Sequence, residues 1–324
     1  LTHFKILLDK QEISEHKQKV ITNKYTPLTC GLIFIIFFFF TTLNNNFYLF
    51  FVIFSLYLLG LLSDLDILAS PPKRIIFQTS IILLSIFLFD LQINSVSIDT
   101  IDKILEIKFF NIFFTLMCLL VLINGFNLMD GLNTLVLGYF IFCLTALYFT
   151  SKQNNFYLDY KLIEDLLIIL SIMIFFNFFG KSFLGDSGTY SIGFLIGIIS
   201  IKFAYENYSL ISPYFVASIL WYPAIENLFS ILRRIYLRKK LSKADNNHLH
   251  HLVYSYLKNN GFLKNKEYIN SLSGILINFY NLITLSISIY FINSSKILLI
   301  LILTNILVYL ILYFNLNRLV FFKK

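Results

Sequence analysis

Five polar segments interrupt a chain that is otherwise mostly apolar, and each carries side chains suited to gripping phosphate or a divalent cation. They are Gly60-Leu61-Leu62-Ser63-Asp64, the stretch from Asn124 to Gly131, Leu184-Gly185-Asp186-Ser187-Gly188, Pro223-Ala224-Ile225-Glu226, and His248-Leu249-His250-His251. Polar groups are costly in hydrocarbon, so a membrane protein keeps them where they are used. If these segments share one face, that face is the candidate active site.

Asp64 is followed by Asp66, Lys73, Arg74 and Gln78. A carboxylate beside two cations suits phosphate chemistry: Lys73 and Arg74 take phosphate oxygens, and Asp64 takes Mg²⁺ or a proton. The same letters, Ser-Asp and Ser-Pro-Pro, also start helices and turns. Asn124, Asn127 and Asp130 recur every third residue, which puts them on one face of a helix end, and Gly131 then releases the backbone. Two amides and a carboxylate converging there would hydrogen-bond a nucleobase, sugar or phosphate. They would equally serve as polar glue between helices. Asp186 sits between Gly185 and Gly188, where a close backbone approach leaves the carboxylate available to Mg²⁺. A tight turn would use the same residues.

The last polar region opens with Arg233, Arg234, Arg238, Lys239 and Lys240 and ends at the histidine segment, which holds three of the five histidines of the chain. Their close spacing and the lack of a nearby cysteine argue against a structural zinc site. Imidazoles beside a basic run suit a polyanion such as a nucleotide diphosphate. A basic cytoplasmic loop with incidental histidines is the plainer reading.

These residues need a scaffold. The chain is 57% hydrophobic and 14% charged, with a mean hydropathy of +0.75, whereas a soluble domain carries roughly 25% charge. The apolar residues come in long runs, so the expected fold is an all-α integral membrane protein forming one polytopic domain over residues 1–324. Ten spans are expected, near 29–43, 47–62, 75–92, 109–124, 132–150, 164–180, 190–204, 211–230, 272–292 and 297–316, with residues 231–271 as a basic, histidine-bearing loop. Alternation of these spans leaves only Lys103, Lys108, Lys152, Lys161, Lys202 and Lys296 on or near one face and every other Lys and Arg on the opposite one. The richer face is therefore expected to be cytoplasmic, and all five polar segments fall on it. The net charge of +8 is read as this orientation bias rather than as nucleic-acid binding. Cys30, Cys118 and Cys143 lie in or beside apolar runs and read as buried hydrophobes. The chain begins at Leu1 with no visible signal peptide, and a preceding span is expected, giving eleven.

In this order the segments resemble the polyprenyl-phosphate N-acetylhexosamine-1-phosphate transferase superfamily (glycosyltransferase family 4). Asn124 to Gly131 resembles its Asn-x-x-Asn-x-x-Asp-Gly motif, Leu184 to Gly188 its metal motif, and His248 to His251 its His-x-His-His motif. Asp9, His16 and Lys17, ahead of Thr26-Pro27-Leu28-Thr29-Cys30-Gly31, resemble its first cytoplasmic loop more loosely. The resemblance implies a bacterial inner-membrane enzyme in which undecaprenyl phosphate attacks the β-phosphate of a UDP-sugar, UMP leaves, and a lipid-linked sugar begins a surface polysaccharide such as O-antigen. It also implies Mg²⁺, or Mn²⁺ in its place, held by Asp186 with Asn127. Asn127 and Asp130 would place nucleotide and diphosphate. Arg233, Arg234, His248, His250 and His251 would hold the pyrophosphate, and Asp64 would serve the lipid phosphate. Two positions depart from the pattern: Ser63 stands where the family usually has a first Asp, and Asn133 where it commonly has a second Asp. Glu226 stands where many relatives carry Asp. The competing reading is a transporter or flippase for a lipid-linked or nucleotide sugar, which calls for ionisable groups at span midpoints and broken helices. The sequence shows no convincing sign of either.

Overall fold

The computed structural model describes residues 26–43, 46–239, 247–261 and 265–321. Asp9, His16, Lys17, Lys240 and residues 243–246 lie outside the described residues. Among those described, the chain is helical throughout, with no strand. The order is α1 Cys30–Thr42, α2 Phe47–Asp64, α3 Pro71–Phe89, α4 Asp99–Leu105, α5 Lys108–Met129, α6 Leu135–Asn154, α7 Tyr160–Phe178, α8 Gly185–Glu206, α9 Pro213–Ile219, α10 Trp221–Tyr236, α11 Leu249–Asn259, α12 Lys266–Tyr290 and α13 Ser295–Phe321.

Seven of these helices, α2, α3, α5, α6, α8, α12 and α13, are long and apolar enough to cross a membrane, and an eighth span forms if α9 and α10 are taken together. The expected ten therefore reduces to this number by length and composition. The first expected span, α1, has 13 residues, a length of about 20 Å against a hydrocarbon core of about 30 Å. The span expected at 164–180 belongs to α7, whose first two turns carry Lys161, Glu164 and Asp165. The span expected at 211–230 is two helices bent by 72°.

Local chemistry sets the ends that matter. Ser70 precedes Pro71 and Pro72, which open α3 where a missing N–H costs nothing. The start of α7 is capped by Asp159, whose carboxylate accepts from the amide of Leu162. The bend between α9 and α10 follows from Pro223. Proline cannot donate to the carbonyl four residues back, that of Ile219. That carbonyl instead accepts from the Tyr139 hydroxyl at 2.8 Å and the Cys143 thiol at 3.2 Å, both on α6. In hydrocarbon such a freed group must find a protein partner.

Helix α8 is the axis of the bundle. Across its apolar window 89% of residues are buried, against 22% for the outer helices α3 and α13. Small residues permit this. Gly193 of α8 lies against Ile123 and Phe126 of α5, and Gly197 lies against Leu119. On the other side Gly60 of α2 meets the backbone of Asp186 and Ser187 so closely that any side chain there would collide with it. Close approach of backbones is how membrane helices gain packing energy when lipid removes the hydrophobic incentive.

Candidate active site

The packing of α8 between α2 and α5 brings three separated sequence segments to one end of the bundle. Asp64 is the last residue of α2 and Asp186 the second residue of α8. Asp64 Oδ1 accepts from the Asp186 amide at 2.9 Å, and Oδ2 from the Ser187 amide at 3.1 Å. One helix thus ends in the cap of another, satisfying amides that α8 cannot satisfy itself. The carboxylate also sits at the positive end of the α8 dipole. Gly185, at φ +72°, supplies the left-handed turn that lets the chain enter α8 beneath Asp64.

Asp186 gathers donors from three helices. Its Oδ2 accepts from Ser63 Oγ at 2.5 Å and from Arg74 Nη1 at 2.9 Å. Its Oδ1 accepts from Asn127 Nδ2 at 2.7 Å. Arg74 Nη1 also donates to Ser63 Oγ at 2.7 Å, closing a triangle, and Asn127 Nδ2 also reaches Thr189 Oγ1 at 3.1 Å. The side chains of Arg74 and Asp186 are 16% and 24% exposed, open enough to meet a solute and enclosed enough for their charges to be felt. Ser63 therefore occupies the position of the missing family aspartate by bridging guanidinium and carboxylate.

Not all the sequence-predicted residues share this point. Asn124 is one turn deeper, where its Nδ2 donates to Gln78 Oε1 at 3.1 Å and to the Leu120 carbonyl. It ties α5 to α3, the interhelical alternative for that residue. Lys73 is exposed beside Arg74 on α3. Asp130 is the C-cap residue that follows α5. Asn133 turns away from the site: it is buried, with its amide nitrogen on Ser271 Oγ and its backbone N–H on Asn270 Oδ1. The departure at that position is thus part of the α5–α6 turn's fastening to α12. The next residue, Thr134, at φ +67°, is fixed by Asn177 Oδ1 accepting its N–H at 2.6 Å.

A second cluster abuts the same end of α5. His248 and His250 are fully enclosed, and His251 nearly so. The His250 and His251 ring centres are 4.3 Å apart, and those of His248 and His250 5.5 Å. Gly131 lies directly against the His250 and His251 rings, leaving no room for a side chain. Both ring nitrogens of His250, and Nε2 of His248, are buried without a hydrogen-bond partner among the described residues. Burial, then the proximity of His251 and His248, holds the His250 imidazole well below the usual histidine range. Arg233 points elsewhere than expected for a diphosphate ligand. Its Nη1 donates to the Asn247 carbonyl and to Tyr313 Oη at 2.7 Å, and its guanidinium lies over the Phe229 and Tyr313 rings. It anchors the backbone that leads into His248. Arg234, one residue on, is half-buried. The residues sequence reasoning passed over are Thr189, Tyr309 and Tyr313, which carry no motif and become visible only through contact.

Residues 46–204 match the family profile of glycosyl transferase family 4. The chain belongs to that family. The family-4 region takes in Asp64, Arg74, Asn127, Asp130 and Asp186, while Glu226 and the histidines lie beyond it. The chain is also 27% identical over 207 residues to the probable undecaprenyl-phosphate N-acetylglucosaminyl 1-phosphate transferase of Bacillus subtilis (strain 168), a match covering 63% of this chain and 56% of that protein. The match thus spans about half the length of that relative. With its apolar helices, this family-4 protein is a multi-pass membrane protein.

Whether a divalent ion suits the site is a question of donors. Among the described residues no three His, Cys, Asp or Glu side chains converge as a metal cage. That excludes a closed all-protein site from the described residues but fits Mg²⁺, which takes one or two carboxylates and completes its shell with water and substrate phosphate. Asp186 is the carboxylate so placed, and Asn127 the amide at its side.

Proposed function

We propose that the chain transfers a sugar 1-phosphate from a UDP-sugar to undecaprenyl phosphate, in the cytoplasmic membrane with its site facing the cytoplasm. The observation that carries this reading is Asp186. A partly exposed carboxylate is held at a helix start by an arginine, a serine and an asparagine from three other segments, at the end of a membrane bundle. Such a site meets a soluble nucleotide sugar from the aqueous side and a lipid phosphate from the bilayer.

The acceptor phosphate is already an anion. It needs neutralising and aligning more than deprotonating, since phosphoryl transfer is governed by positioning and charge. An oxygen of the lipid phosphate forms a bond to the β-phosphorus of the UDP-sugar, and the bond from that phosphorus to the bridging oxygen breaks, so UMP carries the electron pair away. Arg74 stands ready to exchange its hold on Asp186 for a phosphate oxygen. Asp64 keeps the first turn of α8, and with it Asp186, in place. The imidazoles line the far side of the α5 end and offer ring nitrogens to the bound UDP-sugar. Mg²⁺, held by Asp186 with Asn127, would supply charge neutralisation between the two anionic reactants. N-acetylglucosamine is the sugar suggested by the relative's name.

A transporter would also have a broken span, and α9–α10 is one. Its freed carbonyl is taken by Tyr139 and Cys143 within the bundle, however, so it is not left to bind cargo. The reaction itself separates the readings. Purified protein in lipid nanodiscs, given undecaprenyl phosphate and a panel of UDP-sugars, should release UMP and form lipid product only with a divalent cation. Asp186→Asn should lower that rate at least a thousandfold while the protein still purifies as a folded species. Movement of the sugar across proteoliposomes without UMP release would establish the transporter instead.

A further inference from the structure

Glu226 is the most buried carboxylate among the described residues and has no part in the chemistry above. It lies on α10 one turn after the bend, 1% exposed. Its Oε1 is 2.8 Å from His248 Nδ1, and its Oε2 accepts from the Tyr309 hydroxyl at 2.9 Å. His248 is itself fully buried. A carboxylate in so enclosed a place is expensive, and an apolar pair of similar volume would commonly serve stability as well or better. Its partner atoms suggest why it is there. An ionised carboxylate can only accept, so the hydrogen in the 2.8 Å contact belongs to Nδ1 of the imidazole. The other nitrogen, Nε2, is the one left without a partner among the described residues.

We propose that Glu226, supported by Tyr309, is a positioning residue for His248. It fixes the ring and its tautomer so that Nε2, the acceptor nitrogen of that tautomer, faces a hydroxyl or N–H donor of the bound UDP-sugar. Three further contacts support this. The Asn247 carbonyl, immediately before His248, is held by Arg233, which is clamped by Tyr313. Tyr309 and Tyr313 lie one turn apart on α13 with rings nearly parallel at 10°, so one helix face steadies both the ring and the backbone of His248. The His250 ring stacks on the His248 ring at the same angle of 10°, restricting its tilt. A residue whose orientation is fixed from three helices, with one polar atom unspent, is prepared for a ligand rather than only packed.

The inference rests on the proposed transferase activity for its ligand, but not for its geometry, so the test has two arms. In the first, the full chain with ¹⁵N-labelled histidine is examined by solid-state NMR in lipid. Wild type should show His248 with its proton on Nδ1. Glu226→Gln offers an amide donor to Nδ1 and should move the proton to Nε2. A wild-type His248 already protonated at Nε2 alone overturns the proposal, whatever the enzyme's substrate proves to be. In the second arm UMP release is measured. Glu226→Gln should lower kcat by about ten- to a hundredfold, as lost outer partners of a liganding histidine do, with KM for the UDP-sugar changed less than about threefold. Glu226→Asp should recover most of the rate. Added to His248→Asn, Glu226→Gln should cost nothing further, because it acts through that ring. Equal losses from Glu226→Gln in both backgrounds would mean a structural strut and overturn the positioning role. If Glu226→Gln fails to fold, Tyr309→Phe, which deletes one hydroxyl, should give a smaller kcat loss that likewise vanishes in the His248→Asn background; a loss that persists there overturns it.

Discussion

Asp64 and Asp186 are joined by the carboxylate of one and the main chain of the other: the side chain of the first receives the amide of the second at 2.9 Å. Two acidic residues that a motif search would pair as metal ligands thus divide their tasks. Asp186 faces the donors of three helices, and Asp64 secures the turn on which Asp186 stands.

This division predicts unequal outcomes of removing each charge. Asp64→Asn keeps one acceptor oxygen for the α8 amides and should retain measurable turnover, reduced about ten- to a hundredfold. Its stability loss should resemble that of a lost helix cap, about 1–2 kcal/mol. A complete loss of turnover without loss of thermal stability would show that Asp64 acts on the substrate itself.

The Ser63–Arg74–Asp186 triangle predicts that geometry outweighs charge at Arg74. Arg74→Lys retains the cation but not the reach and fixed planar orientation of Nη1, the single nitrogen that donates to both Ser63 and Asp186. It should lower kcat/KM by about tenfold or more. Ser63→Ala removes one hydroxyl and should cost about 1 kcal/mol of transition-state stabilisation, near fivefold, because the two charged groups that the hydroxyl bridges still hold each other at 2.9 Å. Steady-state UMP release by both variants measures the order, and an equal or reversed order would contradict the triangle's role.

Two glycines should respond very differently to a single added methyl. At Gly60 the methyl meets the main chain of Asp186 and Ser187, which cannot yield without moving the site. At Gly197 it approaches the tip of the Leu119 side chain at 2.6 Å, which can rotate aside. Gly60→Ala should therefore abolish activity and lower the melting temperature in detergent by several degrees, and Gly197→Ala should leave turnover within about threefold. Matched melts and rates for the two variants provide the comparison.

His250 predicts a pH dependence of stability. Its folded form disfavours the proton, whereas the unfolded chain takes one up near the ordinary value of 6.5. Below that pH the unfolded state binds more protons, so stability falls as pH drops from 6.5 toward the depressed folded value, and this contribution is constant above 6.5. Replacing His250 by Asn should flatten the acid side of a melting-temperature profile between pH 7.5 and 5. An unchanged slope would show that His250 is not the group responsible.

The helical character of the chain and the convergence of Asp64, Asn127 and Asp186 were legible in the sequence because hydrocarbon penalises idle polar residues. Their partners were less so. Asn124, Asn127 and Asp130 share a spacing, yet α5 ends at Met129, and only Asn127 reaches Asp186; the rotation of a helix end against its neighbour is not written in period alone. Arg233 looked like a phosphate ligand because it stands in a basic run, but the aromatic face of α13, more than seventy residues later, captures it. The ten spans expected from hydropathy and the seven or eight that helix length and composition support differ for a similar reason. Hydropathy registers α1 and α9 as apolar but does not register that one is short and the other parted from α10 by a bend at Pro223, where the replacement donors for an orphaned carbonyl come from α6.

Enclosure of α8 has a practical corollary. The helix that carries Asp186 has no lipid-facing side along which to slip, and its first turn is pinned by a carboxylate from the neighbouring span. Solubilising agents that swell the bundle by even a fraction of an ångström along α2 would pull Asp64 from its amides before any helix unwinds. Loss of turnover should therefore precede loss of helicity during delipidation, and circular dichroism alone would misjudge which preparations are alive.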